Sequence, residues 1–239
     1  MTSERRFSLS HTGFWNALLP MEEPYIRSHN ASLRQFAPEL VSAVSPAQRG
    51  VVNEFGFLLF AFALGRGVHP SDLSNEVIAR CSAEAFGHVA RMRHASPSPP
   101  TPVTEMDARE AKVLAGRLTS YFTRKSWQLL RAKPFFPGCG WVDDAEGDVL
   151  GDRTLFEVKA GDRLFRGTDV RQALCYCALG FSAKLYDIDS ICLVNPRSGT
   201  YFQDDLETLC WKIAGLNAAE LLGEIVDYIS EPFSQHGAP

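Results

Sequence analysis

The sequence predicts an α/β protein with a mainly helical N-terminal extension, and three observations carry that reading. Apolar residues recur at helical spacing through most of the first half of the chain. Beyond a proline-rich break at residues 94–102, short alternating stretches bounded by glycine and asparagine lie between further helical segments. A composition of 45% hydrophobic and 22% charged residues over 239 positions is that of a globular chain able to bury a full core.

Taken in order, residues 7–28 are undecided and leave room for a strand. Helical spacing predicts helices over 31–44, 48–64 and 71–93, separated by Ser45-Pro46 and by Gly65-Arg66-Gly67 up to Pro70. Four prolines among serines, in Ser96-Pro97-Ser98-Pro99-Pro100-Thr101-Pro102, can form neither helix nor central strand. Residues 95–105 are therefore read as a linker or long loop between a helical region, 1–94, and a second domain, 106–239. That domain opens with a helix over 107–122, whose Ala111, Leu114, Ala115, Leu118 and Phe122 share one side. Apolar residues with turn formers at 135–142 suit the start of a strand. Residues 147–150 and 154–160 read as a hairpin, 168–182 as a helix capped by Thr168, and 190–194 as a strand ended by Asn195-Pro196-Arg197-Ser198-Gly199. Helices over 204–214 and 218–229 close the chain. The order helix, hairpin, helix, strand, helix is that of a layered α/β fold.

The hairpin carries the chemistry. Side chains alternate across a strand, so Glu157 and Lys159 share one face, and Phe156, Val158 and Ala160 the other. A two-residue turn at Asp152-Arg153 sets Asp148 opposite Glu157 on the polar face. Two carboxylates held together need a compensating charge. Hard oxygen ligands without histidine or thiolate select magnesium or manganese, with the Val158 carbonyl as a further ligand. Such an ion polarises a phosphate oxygen and acidifies water, while Lys159 offsets charge building up on the phosphate. On the following helix Gln172 and Tyr176 lie one turn apart, opposite the apolar stripe of Val170, Ala173, Leu174, Cys177 and Phe181, where they could steady the lysine or contact substrate.

Asp148, Glu157-Val158-Lys159 and Gln172-x-x-x-Tyr176, in the order strand, strand, helix, resemble the PD-(D/E)xK nuclease superfamily in its QxxxY-bearing branch. The resemblance covers about two fifths of the chain, residues 107–199. It implies a restriction-endonuclease-like mixed β-sheet flanked by helices and magnesium-dependent cleavage of DNA. Asp148 and Glu157 would be the metal ligands and Lys159 catalytic. The chain departs from the pattern at Gly147, where the family name has proline, and lacks the cluster-binding cysteines of some QxxxY exonucleases. An upstream acid often completes such sites. Glu54, in a helix apolar nearly all round, is the first candidate, and Glu110, on a helix face that looks solvent-exposed, is its rival.

Arg163, Arg166 and Arg171 follow the catalytic strand and are candidate phosphate contacts. Arg124, Lys125, Arg131 and Lys133 precede it, Arg197 is a weaker candidate, and Phe165 could pack inward or stack on a base. The expected activity is metal-dependent hydrolysis of DNA phosphodiester bonds, alone or within a DNA-processing or defence complex. The alternatives are a nuclease-like adaptor that docks a protein partner through its helical first half, and a nuclease directed at RNA. A net charge of −4 excludes a protein that coats nucleic acid through bulk charge. No apolar run is long enough for a bilayer and no clean signal-peptide core follows the N-terminus, so a cytoplasmic protein without membrane contact is expected. Six cysteines without CxxC spacing read as buried reduced thiols. His11, His29, His69, His88 and His94 show no ligand spacing.

Overall fold

The computed structural model describes residues 1–92 and 101–232, so His94 and most of the proline-rich break lie outside the described residues. The chain begins with three short helices, α1 (Glu4–Leu9), α2 (Thr12–Leu18) and α3 (Glu22–Asn30). Acids in the first turn of α3 and basic residues in its last match the helix dipole. Residues 7–28 thus hold no strand. The helix expected over 31–44 does not form either. Pro38 denies the chain a helical N–H and restricts Ala37, and the backbone bonds elsewhere. The short strand β1 (Arg34–Gln35) precedes it, the N–H groups of Phe36 and Ala37 reach the Gly199 carbonyl at 2.7 and 3.2 Å, and that of Leu40 reaches Arg197 at 2.8 Å.

Helix α4 (Arg49–Arg66) ends where Gly67 turns left-handed at φ +64°. A 3-10 turn over Pro70–Asp72 leads to α5 (Asn75–Met92). Helix α6 (Glu105–Phe122) starts at a capping box in which Thr104 and Asp107 each accept the other's backbone N–H. The strands follow: β2 (Leu130–Ala132), β3 (Phe135–Phe136), β4 (Ala145–Glu146), β5 (Val149–Gly151) and β6 (Thr154–Val158). Helix α7 (Gly167–Ala183) crosses to β7 (Ser190–Asn195). Next come β8 (Thr200–Asp205), α8 (Leu206–Ala214) and α9 (Ala218–Ser230). Residues 200–205, of which only 204 and 205 were expected to begin a helix, form a strand, and α8 starts only where Asp205 caps the Thr208 N–H at 2.8 Å.

Six strands form a mixed sheet in the order β1-β8-β7-β6-β5-β2, with β6 and β7 parallel and the other pairs antiparallel. β3 and β4 make a separate ribbon. Alternation along the central strands supplies two cores. Leu155, Ile191, Leu193 and Phe202 pack with α7, α8, α9 and the aromatic residues of α1 to α3. Val149, Phe156, Cys192 and Val194 pack with α4, α5 and α6. The first 92 residues therefore contribute to both cores, and the proline-rich break does not divide one core from the other. No described helix is long and apolar enough to cross a membrane.

The contact of α4 with α6 requires a missing side chain. A Cβ on Gly56 would stand 2.9 Å from Leu114 Cβ and 3.0 Å from the Ala111 carbonyl, whereas one on Gly65 in the same helix meets nothing within 4 Å. Gly56→Ala is expected to cost about 1–3 kcal/mol through overpacking, and Gly65→Ala to gain roughly 0.5–1 kcal/mol from lost chain entropy. Urea unfolding midpoints moving in opposite directions would bear this out; a gain in both would mean that α4 does not touch α6 at Gly56.

Candidate active site

The β5–β6 hairpin turns through Asp152-Arg153. Asp152 sits at φ +50° and accepts the N–H groups of Gln128 and Leu129 at 2.9 and 3.0 Å. Val149 pairs with Phe156 and Leu150 with Leu155, so one further step places Asp148 opposite Glu157. The face they share is not the open polar surface that the sequence suggested. β6 lies inside the sheet with α7 packed over it, and Glu157 is only 3% exposed.

Each group on this face has a defined partner. Asp148 Oδ2 accepts the Val158 N–H at 2.7 Å, so it is the amide of Val158 that holds the first carboxylate. Lys159 Nζ donates to Glu157 Oε1 and to Gln172 Oε1, both at 2.7 Å, with Asp169 Oδ1 at 3.8 Å. Gln172 Nε2 donates to Tyr176 Oη at 3.2 Å and to Glu4 Oε1 at 3.3 Å, and Tyr176 Oη donates to the same Glu4 oxygen at 3.1 Å. These bonds fix the amide so that its oxygen faces the lysine. Glu4 is a member of the site that the sequence reading missed. Its only signal was an acid in the first turn of a six-residue helix, with nothing to say where that helix docks.

The electrostatics follow from burial. Desolvation, then the neighbouring Glu157, pushes the Asp148 carboxyl well above its ordinary range. Desolvation also raises Glu157, against the opposing pull of Lys159. Burial works against the Lys159 charge, but Glu157, Asp169 and Asp148 together outweigh it and raise its pKa. Burial, then Glu157 and Glu4, raises Tyr176, which stays a protonated phenol. One atom remains unmatched: Glu157 Oε2 is buried and has no hydrogen-bond partner among the described residues.

The remaining candidates are distributed differently. Glu54 accepts from, or pairs with, His88 Nδ1 at 2.8 Å and lies close enough to Asp148 to raise its pKa. Glu110 is buried rather than solvent-exposed, and binds Arg197 Nη1 at 2.6 Å and the Ser42 hydroxyl at 2.8 Å. Arg197 is thereby held inside the protein at 2% exposure. Arg171 is buried against Glu22, its Nη2 at 2.6 Å, and Arg163 clamps Asp169 through two bonds of 2.7 Å. Arg163 and Arg166 are both exposed, but Arg166 alone of the three forms no side-chain bond among the described residues; its backbone N–H, not Thr168, makes the helix cap by donating to Asp169 at 2.9 Å. Phe165 packs inward, edge-on to Phe202. Arg124 reaches the Phe36 carbonyl, Lys125 pairs with Asp152 and Lys133 with Glu146. All six cysteines are free thiols, five of them buried.

Among the described residues no group of three or more His, Cys, Asp or Glu is arranged to hold a metal. What the site offers is a pair, Asp148 and Glu157, with one buried oxygen unmatched. Two carboxylates suit a magnesium-like ion, which keeps several waters and takes few protein ligands. No protein-family model, curated protein or solved structure gives a match to this chain.

Because both native carboxyls titrate above their unfolded values, the folded state binds the extra proton, and stability falls as pH rises from about 4 towards the native pKa. Asp148→Asn removes one such charge and keeps an oxygen to accept the Val158 N–H. In chelator its Tm is expected to match that of the wild type at pH 4 and to exceed it at pH 8 by roughly 2–4 °C, the shift that about 1 kcal/mol produces in a chain of this size. A variant less stable at pH 8 than at pH 4, relative to wild type, would contradict the assignment.

Proposed function

We propose that the chain is a divalent-cation-dependent nuclease of the restriction-endonuclease-like kind, hydrolysing phosphodiester bonds of DNA at Asp148, Glu157 and Lys159. The observation that carries this reading is the divided use of Glu157, which lies across the hairpin from Asp148: one oxygen holds Lys159 at 2.7 Å while the other is buried without a hydrogen-bond partner among the described residues. A magnesium or manganese ion held by these carboxylates would polarise a phosphate oxygen and activate water for attack. Lys159, fixed by two bonds before substrate arrives, presents a positive charge where negative charge grows on the phosphate. Gln172 and Tyr176 keep that ammonium in place. Of the three candidate arginines Arg166 is the one without a carboxylate partner among the described residues and so is left to contact the strand; the cleft of about 600 Å³ that it lines with Glu22, Glu23 and Arg27 includes none of Asp148, Glu157 and Lys159.

One observation favours the second reading, a nuclease-like adaptor without cleavage of its own. Arg163 and Arg171 are committed to Asp169 and Glu22, which leaves few cations for phosphate.

Incubation with linear and supercoiled DNA in magnesium separates the two. Cleavage is expected in the wild type, abolished by excess chelator, and reduced at least about 100-fold in Glu157→Ala and Lys159→Ala, a loss typical of removing one preorganised charge-stabilising group. Cleavage that survives in both folded variants would remove the assignment; no cleavage, with no change in Tm on adding magnesium or manganese, would favour the adaptor.

A further inference from the structure

We propose that Asn53, Asn195 and Arg197 are positioning residues for Lys159, acting through the backbone segment that follows it; this rests on the reading of Lys159 as the catalytic cation. The Lys159 N–H still bonds the Val194 carbonyl at 2.8 Å, beyond the last residue of β6. Past that rung side chains take over from the sheet. The Ala160 carbonyl accepts Asn53 Nδ2 at 2.5 Å and Arg197 Nε at 3.3 Å, and the Gly161 carbonyl accepts Asn195 Nδ2 at 2.8 Å.

These three side chains orient one another. Arg197 Nη2 donates to Asn53 Oδ1 at 2.6 Å, so the Asn53 amide must turn its nitrogen to Ala160. Asn195 Oδ1 accepts the Arg197 N–H at 2.9 Å, and Arg197 Nη1 is anchored by Glu110 at 2.6 Å. From α6, Arg117 Nη1 holds the carbonyls of Pro196 and Arg197 at 3.0 and 3.1 Å. A buried arginine–carboxylate pair is a poor source of stability, because desolvation offsets its attraction. Here Arg197 reaches the Ala160 carbonyl directly through Nε and indirectly through Asn53, next to the residue whose ammonium must be aimed. A displacement of about 1 Å at a reacting group can cost on the order of 100-fold in rate.

Asn53→Ala removes both amide bonds and suits its place in α4. Asn53→Asp keeps an acceptor for Arg197 and loses the donor to Ala160. Two readouts are taken on each full-length variant: the ¹H–¹⁵N signal of the Lys159 ammonium in chelator, and kcat and KM for DNA in magnesium. In the wild type the ammonium signal is expected to be sharp. Both variants should lose it, with kcat down 10- to 100-fold, KM within about twofold and a cooperative melting transition retained. A merely structural role would be restored in Asn53→Asp, which preserves the Arg197 bond. A sharp ammonium signal with wild-type kcat in that variant overturns the proposal. Should the wild type not cleave DNA, the ammonium signal alone decides, so this inference can survive or fail apart from the nuclease reading.

Discussion

Two carboxylates side by side beneath a helix are the constraint on which the rest of this structure depends. Asp148 and Glu157 face each other across the β5–β6 hairpin, where burial disfavours both charges. The surrounding groups reduce that cost without cancelling it. Lys159 and Arg163 are set against Asp148, Glu157, Asp169 and Glu4, four acids to two cations. Such an excess in low dielectric is relieved by protons or by a cation. A fold selected only for stability would have placed apolar residues on this stretch of strand.

The layers explain how the constraint is met. The parallel pair β6 and β7 is joined across α7, so the segment after Lys159 and the turn after Asn195 emerge at the same end of the sheet. Helix α7 covers that end from one side and brings Asp169, Gln172 and Tyr176. Helices α4 and α6 approach from the other with Asn53, Glu110 and Arg117. The first 92 residues are thus more than a docking extension. α1 delivers Glu4 to the Gln172–Tyr176 pair, and α4 delivers Asn53 to the backbone beyond Lys159. Glu54, on α4, pairs with His88 while lying near Asp148; Glu110, on α6, pairs with Arg197; and Arg197, from the turn after β7, reaches the Ala160 carbonyl.

The parts of this arrangement that were legible in the sequence are local ones. A two-residue turn and strand alternation suffice to set Asp148 opposite Glu157, and helical spacing suffices to stack Gln172 on Tyr176. Helices α4, α6, α7 and α9 were recognisable because long apolar periodicity dominates their stretches. Strand β8 and the loop after β1 were not, because their structure comes from pairing with distant chain: Tyr201 lies opposite Val194, and the Phe36 N–H finds Gly199. The fates of the arginines were likewise hidden. Whether a guanidinium meets phosphate or a carboxylate depends on which helix packs beside it, and α3, whose Glu22 takes Arg171, fell in the undecided region. Glu4 escaped notice because nothing in the sequence says where the six-residue helix α1 docks.

Calorimetric titration of the metal-free protein with manganese, in two buffers of different ionisation enthalpy, tests most directly whether this buried pair is a cation site. Carboxyls raised by burial hold protons that an ion must displace, so binding at a single site with proton release that grows as pH is lowered is predicted. Both the binding and the proton release should vanish in Glu157→Gln. Absence of binding at millimolar manganese, or binding that persists unchanged in Glu157→Gln, would contradict the account.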